Sequence, residues 1–272
     1  MRIALLTFES FASAEAVRRF VDANAQRIAL VALSDPLAAS WRREIGRSVR
    51  MLRRAGPRLI PYLVANFLLP RLAPRRAGAP PEKTPLARLC HARGIPCVAV
   101  PDVNHPAFQA RLAASGADLI VTFHCDQILA PATIAVAPLG GINVHPGLLS
   151  SQRGPTPTIA ALAEAQPRFA VTLHRLVARI DAGPVLAEAR CDLPAGITAL
   201  AAARHLHLAA APILEKLLDD WEHGDAPEPA PGASAPGPYH SFPTWAELRA
   251  LAAIGRKPAD WRDLAAALRL PA

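Results

Sequence analysis

The sequence has few of the features that would place it in a special class. Four cysteines occur among 272 residues, at Cys90, Cys97, Cys125 and Cys191, and none stands in a Cys-x-x-Cys pair. That spacing argues against a zinc motif and predicts buried thiols in a reducing cytosol. No apolar run reaches the ~20 residues that a membrane-spanning helix needs. The N-terminal run Met1-Arg2-Ile3-Ala4-Leu5-Leu6 soon meets Glu9, so it reads as a short strand and not as a secretory signal. The expectation is a cytoplasmic protein. Phe8-Glu9-Ser10-Phe11 follows that strand in place of a Gly-x-Gly-x-x-Gly, which disfavours a dinucleotide site. No internal repeats are evident.

Hydrophobic residues make up 51% of the chain, enough for a sizeable core. The formal net charge is +8, but it is concentrated. Residues 41–76 hold ten arginines and one acid, and the remainder is close to neutral. This argues against general nucleic-acid binding and for one local electrostatic feature. Trp41 to Arg54 fits a basic amphipathic helix with Ile45, Val49 and Leu52 on one side, broken by Gly56-Pro57. Leu59 to Leu72 is apolar and punctuated by prolines. The segment reads either as a helical insertion packed on the domain or as a surface for peripheral contact with an anionic membrane or partner.

The rest of the first 190 residues alternates strand and helix. Strands are predicted at 2–7, 28–33, 96–100, 117–123 and 141–145. Helices are predicted at 13–24, with Ser13 as N-cap, at 86–93, ending at Gly94, and at 104–115. The expected fold is α/β, a doubly wound, largely parallel Rossmann-like sheet with a helical insertion. Residues 1–194 read as the catalytic domain, with 41–76 inserted. Residues 195–272 read as a small helical C-terminal appendage: a long helix at 198–221, a Pro-rich linker at 225–238, and short helices near 244–253 and 259–268. Tyr239 to Trp245 is expected to cover an edge or an acceptor pocket.

The stretch from Ile142 to Gly183 carries the chemistry. Asn143 and His145 are two apart on a predicted strand, so both project from one face. Pro146 ends that strand, which leaves the pair at its carboxyl end, where open α/β sheets bind ligands. Thr172 and His174 repeat the spacing on a second strand, and Asp181 follows in an Asp-Ala-Gly-Pro turn. An amide N–H can hold a developing oxyanion, an imidazole can move a proton near neutral pH, and a carboxylate can orient it. His124 beside Cys125 raises a metal site with His145 and His174, but no ligand spacing supports one and no metal is expected.

These residues resemble the folate-dependent formyltransferase family, which includes methionyl-tRNA, glycinamide ribonucleotide and amino-sugar formyltransferases. The shared pattern is Asn143-x-His145-Pro146, Arg153-Gly154, Thr172-x-His174 and Asp181-x-Gly183. The resemblance implies 10-formyltetrahydrofolate as co-substrate and a small or sugar-linked amine as acceptor, and the basic segment at 41–76 points to an anionic one such as a nucleotide-sugar or a lipid-linked amine. It implies that Asn143 and His145 polarise the formyl carbonyl. Asp181 would orient His145 and help to remove the amine proton, and Thr172 would support a water or the Asn–His pair. Gln127, Ile128, Leu129, Leu176 and Val177 match the pterin pocket. His174 falls on the substrate side. Arg153 either binds an anionic acceptor group or braces its loop. Two other functions are compatible: hydrolysis of 10-formyltetrahydrofolate, and a non-catalytic remnant that docks on a membrane or partner. Oligomeric state is not readable.

Overall fold

The computed structural model describes residues 1–35, 46, 48–69, 84–230 and 235–269. Its strands are β1 (Ile3–Thr7), β2 (Ile28–Ser34), β3 (Cys97–Val100), β4 (Leu119–Phe123), β5 (Gly141–His145), β6 (Ala170–Arg175) and β7 (Val185–Arg190). They form one sheet in the order β3-β2-β1-β4-β5-β6-β7. The first five are parallel, and β6 and β7 run antiparallel. The sheet is therefore largely parallel and α/β, as the alternation implies.

The central strands are continuous apolar runs because both faces are covered. Ile3 and Leu5 belong to one buried cluster and Ala4 and Leu6 to another, as strand alternation requires. The first face is packed by α1 (Ala14–Ala23), α2 (Pro85–Ala92) and α6 (Ala199–Glu222), through Phe20, Leu86, Leu206 and Leu214. The second face is covered by α3 (Pro106–Ala114), through Phe108 and Leu112. Two shorter helices, α4 (Pro131–Ile134) and α5 (Pro157–Ala163), flank β5 in sequence. Helices α7 (Trp245–Ala253) and α8 (Trp261–Leu268) complete the C-terminal extension.

Residues 48–55 are helical, followed by a 3-10 turn at Pro57–Leu59, an α-turn at Ile60–Leu63 and a π-helical turn at Val64–Leu68. This part of the insertion is packed on the domain. Ala55, Leu59, Tyr62 and Ala65 share a third cluster with Phe11, Ile159, Leu200 and Leu248. Asn66 ties it to the loop after β1, its Oδ1 accepting from Ala12 N–H (3.0 Å) and its carbonyl from Phe11 N–H (2.8 Å). Arg50, Arg53, Arg54 and Arg58 are exposed. The rest of the expected basic segment, at 41–45, 47 and 70–76, lies outside the described residues, as do most of the loop after it and 231–234 of the linker.

Two local expectations need correction. Ser13 precedes α1 but makes no capping bond, because its hydroxyl is held by Ser10 and His124. Strand β7 was not anticipated. Only Val185 and Leu186 at its start are buried, so this edge strand lacks a clear apolar alternation. Among the described residues no helix is long and apolar enough to cross a membrane.

Leu206 of α6 is fully buried against the sheet. Leu206→Ala should cost about 2–5 kcal/mol, read as a lower midpoint in urea unfolding of the full chain.

Candidate functional site

Strand β5 brings Asn143 and His145 to its carboxyl end, and β6 pairs with it so that Asn143 faces His174 and His145 faces Thr172. Directly opposed residues share a face of the sheet, so four polar side chains stand together. Thr122 sits beside Asn143 on the other neighbouring strand. Its hydroxyl donates to Asn143 Oδ1 (2.6 Å), which turns the amide nitrogen toward the cavity side. Asn143 Nδ2–H then donates to His174 Nε2 (2.9 Å) and more distantly to Asp181 Oδ1 (3.4 Å).

Asp181 reaches this group from the turn after β6. Its φ of +47° lies in the left-handed region, which aspartate tolerates better than most residues. Arg153 grips that turn: Nε–H donates to the Asp181 carbonyl (2.7 Å), Nη2–H to Ile180 (2.5 Å) and Nη1–H to Gly237 (2.8 Å). Gly154 N–H donates to Asp181 Oδ2 (3.0 Å). Gly154 has φ +119°, and a Cβ there would lie 1.9 Å from the His240 carbonyl oxygen, so no side chain fits. At Gly183 a Cβ would lie 1.9 Å from the Arg175 carbonyl oxygen. The Asp-x-Gly turn is therefore closed directly against the end of β6.

Hydrogen-bond partners assign the imidazole protons. His174 Nδ1–H donates to the Arg175 carbonyl (2.9 Å), leaving Nε2 to accept from Asn143. His145 Nε2–H donates to the Gln152 carbonyl (3.0 Å). The bare Nδ1 of His145 then faces Asp181 Oδ1 at 3.8 Å. Burial pushes the His145 imidazole below its ordinary 6.5, with Asp181 opposing part of that shift. Burial by itself would raise the Asp181 carboxyl. His145, His174 and the Gly154 N–H outweigh it and hold that carboxyl down at about 2. Near neutral pH the site thus holds a carboxylate, a neutral imidazole with a free lone pair, and an amide N–H beside it.

A cavity of about 700 Å³ opens over this group. Asn143, His145, His174 and Asp181 line it, as do Gln127, Ile128, Leu129, Leu176 and Val177. Met51, Tyr62 and Phe67 of the insertion and Tyr239 and Phe242 also line it. Residues 237–240 are laced to the loop after β5 through Gly237 N–H to Leu149 and His240 N–H to Arg153. The expected cover over the site is thus Tyr239 to Phe242, while Trp245 packs against Arg58 instead.

Four expected site residues make contacts that the sequence does not show. Arg153 is 2% exposed with all three guanidinium nitrogens on backbone carbonyls, which is the loop-bracing arrangement of the two expected for it. Thr172 donates to the Gly147 carbonyl (2.7 Å), holding the loop after β5, and does not line the cavity. His174 lines the cavity with both ring nitrogens engaged, Nε2 by Asn143 and Nδ1 by the Arg175 carbonyl. The Gln127 side-chain amide is occupied by Ser34, Val100 and Val103, so it ties strand ends together, while the residue itself lines the cavity as expected of the 127–129 loop. Thr122 and Gln152 were missed. Strand pairing of β4 with β5 would have pointed to Thr122, whereas Gln152 contributes a carbonyl, which no residue type reveals. Among the described residues no group of three or more His, Cys, Asp or Glu side chains could hold a metal ion.

A family model described as formyl transferase matches residues 78–216. The chain belongs to the formyl transferase family. Solved structures share the fold of this formyl transferase at low identity. Glycinamide ribonucleotide transformylase 1 from Symbiobacterium toebii is 18% identical with a TM-score of 0.56, over 82% of this chain and 88% of that one. A sugar N-formyltransferase from Shewanella sp. is 16% identical with a TM-score of 0.55, over 92% and 79%. A sugar 3N-formyl transferase solved in the presence of dTDP and 5-N-formyl-THF is 12% identical with a TM-score of 0.50, over 89% and 69%.

Arg153→Ala would leave three carbonyls without their donor and open a void beside Asp181. It should cost about 3 kcal/mol or more, measured as a lower denaturation midpoint, with Arg153→Lys recovering only part.

Proposed function

We propose that this formyl transferase moves a formyl group from 10-formyltetrahydrofolate to the amine of a small or sugar-linked acceptor. The observation that carries this is the convergence of the Asn143 amide, the His145 Nδ1 and the Asp181 carboxylate on one cavity. The flanking side chains fit a flat heteroaromatic ring. Ile128 and Val177 are 58% and 38% exposed, with Leu129 and Leu176 behind them, and the volume falls within the usual range for ligand clefts. A sugar 3N-formyl transferase of the same fold, solved with dTDP and 5-N-formyl-THF, supports a folate donor and a nucleotide-sugar acceptor here.

When bound, the folate supplies the formyl carbonyl that the acceptor amine attacks. Asn143 Nδ2, held in place by Thr122 and His174, exchanges its long 3.4 Å bond to Asp181 for one to the oxygen on which negative charge develops. His145 Nδ1 takes the proton that the attacking amine releases. Asp181 stabilises the resulting imidazolium and keeps the ring in place, while the Gln152 carbonyl holds Nε2–H. Once protonated, Nδ1–H can return its proton to the departing nitrogen. The exposed Arg50, Arg53 and Arg54 sit on the helix that lends Ser48 and Met51 to the cavity, which favours an anionic group outside its mouth. An anionic membrane surface is the alternative partner for that helix.

Asn143→Ala, His145→Ala and Asp181→Ala should each lower transfer at least about 10²-fold, followed as tetrahydrofolate appears with a panel of amino-sugar and aliphatic amines. Wild-type rates in all three folded variants would end this mechanism. Formate release with no amine present would assign hydrolysis instead.

The pH profile has a definite sign. Activity requires neutral His145, so kcat/KM should fall on the acid side, below the ordinary imidazole value. The Asp181 charge favours the imidazolium, so Asp181→Asn should move the enzyme's acid limb to still lower pH as well as reducing the rate. A limb that moves upward would contradict this assignment of the proton.

A further inference from the structure

A second pair of histidines lies in the same cavity and has no part in the chemistry above. His124 follows β4 with φ +57°, a conformation unusual for a side-chain-bearing residue. Its Nδ1 is shared between the hydroxyls of Ser10 (2.8 Å) and Ser13 (3.0 Å), both fully buried before α1. His207, on α6, is 1% exposed, and neither of its ring nitrogens has a hydrogen-bond partner. The carbonyls of Ala203 and Ala12 lie close enough to the ring to favour its protonated form slightly, though neither meets the geometry of a full hydrogen bond. The two imidazoles are 5.3 Å apart between centroids, and both line the cavity. Around them stand Phe123, edge-on to His207, and Phe8, edge-on to His124, with Phe67 against Phe8.

We propose that His124 and His207 form a polar subsite at the floor of the cavity that binds an uncharged hydroxyl group of the acceptor, close to the amine that is formylated. This rests on the reading of the cavity as a formyl-transfer site and names what the acceptor must carry.

A buried imidazole with two unpartnered nitrogens is costly unless something occupies it, and native structures leave few such groups. The surroundings select what that is. Burial holds His124 down at about 4 and His207 at about 3, so both rings are neutral near neutral pH. No arginine or lysine is within reach among the cavity-lining residues on this side; Arg179 is the one such cation among those described, and it belongs to the turn that carries Asp181. A phosphate or carboxylate would therefore find no counter-charge here. A neutral imidazole offers one donor and one acceptor, which is the complement of a hydroxyl. His145 is close enough to disfavour charge on His207, so the subsite and the reacting group share one neighbourhood. The apolar wall of Phe8, Tyr62 and Phe67 would cover the carbon skeleton between hydroxyl and amine.

The test uses the full chain, saturated with 5-formyltetrahydrofolate, and two matched probes: trans-2-aminocyclohexanol and cyclohexylamine. Affinities are taken from NMR titration with ¹⁵N-labelled histidine. The wild type should bind the amino alcohol about tenfold or more tightly than the plain amine, equivalent to one hydrogen-bonded contact. The His124 and His207 ring resonances should shift with the amino alcohol only. His207→Phe, which keeps a ring against Phe123, and His124→Asn, which tolerates the same backbone conformation, should bring that ratio close to one. Neither should alter the affinity for 5-formyltetrahydrofolate. His207→Gln serves where the phenylalanine variant does not fold, and the wild-type ratio needs no variant. Equal binding of both probes, binding of neither, or a preference that survives in both variants would overturn the subsite. Failure of the folate to bind, with the amino-alcohol preference intact, would instead overturn the formyl-transfer reading and leave the subsite standing.

Discussion

Asp181 is held where a free chain would rarely leave it. Its backbone is left-handed, its carbonyl and that of Ile180 are drawn down by Arg153, and its carboxylate is met by the Gly154 N–H. The adjacent residues Arg153 and Gly154 therefore grip one turn from two sides, the guanidinium on its main chain and the amide on its side chain. The grip gives the carboxylate a fixed distance to three partners, Asn143, His145 and His174, none farther than 3.8 Å. A carboxylate buried beside imidazoles has a depressed pKa only while that geometry lasts. The left-handed turn, the buried arginine and the glycine that admits no Cβ are parts of one electrostatic arrangement.

The sheet makes the arrangement possible by changing direction. Five parallel strands bring β5 to its carboxyl end with Asn143 and His145 exposed to the crevice, as in other open α/β sheets. Had β6 continued in parallel, its register would not have set His174 directly across from Asn143. The antiparallel return does so, and it sends the chain from Arg175 straight into the turn that carries Asp181. The site thus depends on a reversal at one sheet edge, and β7 pairs with β6 so that this reversal is not left at an open edge.

The parts legible in the sequence are those written by local pattern. The period-two spacing of Asn143 with His145 and of Thr172 with His174, the stop at Pro146 and the small residues around Asp181 each follow from the geometry of one strand or turn. The choice between the two readings of Arg153, and the bond that Thr172 makes, were not legible, because their partners are carbonyls of Ile180, Asp181, Gly237 and Gly147. A carbonyl belongs to every residue and marks none. Thr122 was hidden for a related reason: its hydroxyl matters only through the pairing of β4 with β5. His207 looked like one polar residue in an alanine-rich helix, and only the fold sets it against His124 and the two serines before α1.

The insertion and the strap at 237–242 supply much of the apolar lining of the cavity. Tyr62, Leu63 and Phe67 of the insertion and Tyr239 and Phe242 of the strap line the same cavity as Asn143, His145, His174 and Asp181. Once an acceptor fills the cavity, the water it displaces no longer screens the attraction between Asp181 and a protonated His145 or competes with the amine as nucleophile. Transfer and hydrolysis would use the same amide, imidazole and carboxylate. The difference between them therefore lies less in those residues than in the apolar wall, which an amine with a carbon skeleton can occupy and water cannot.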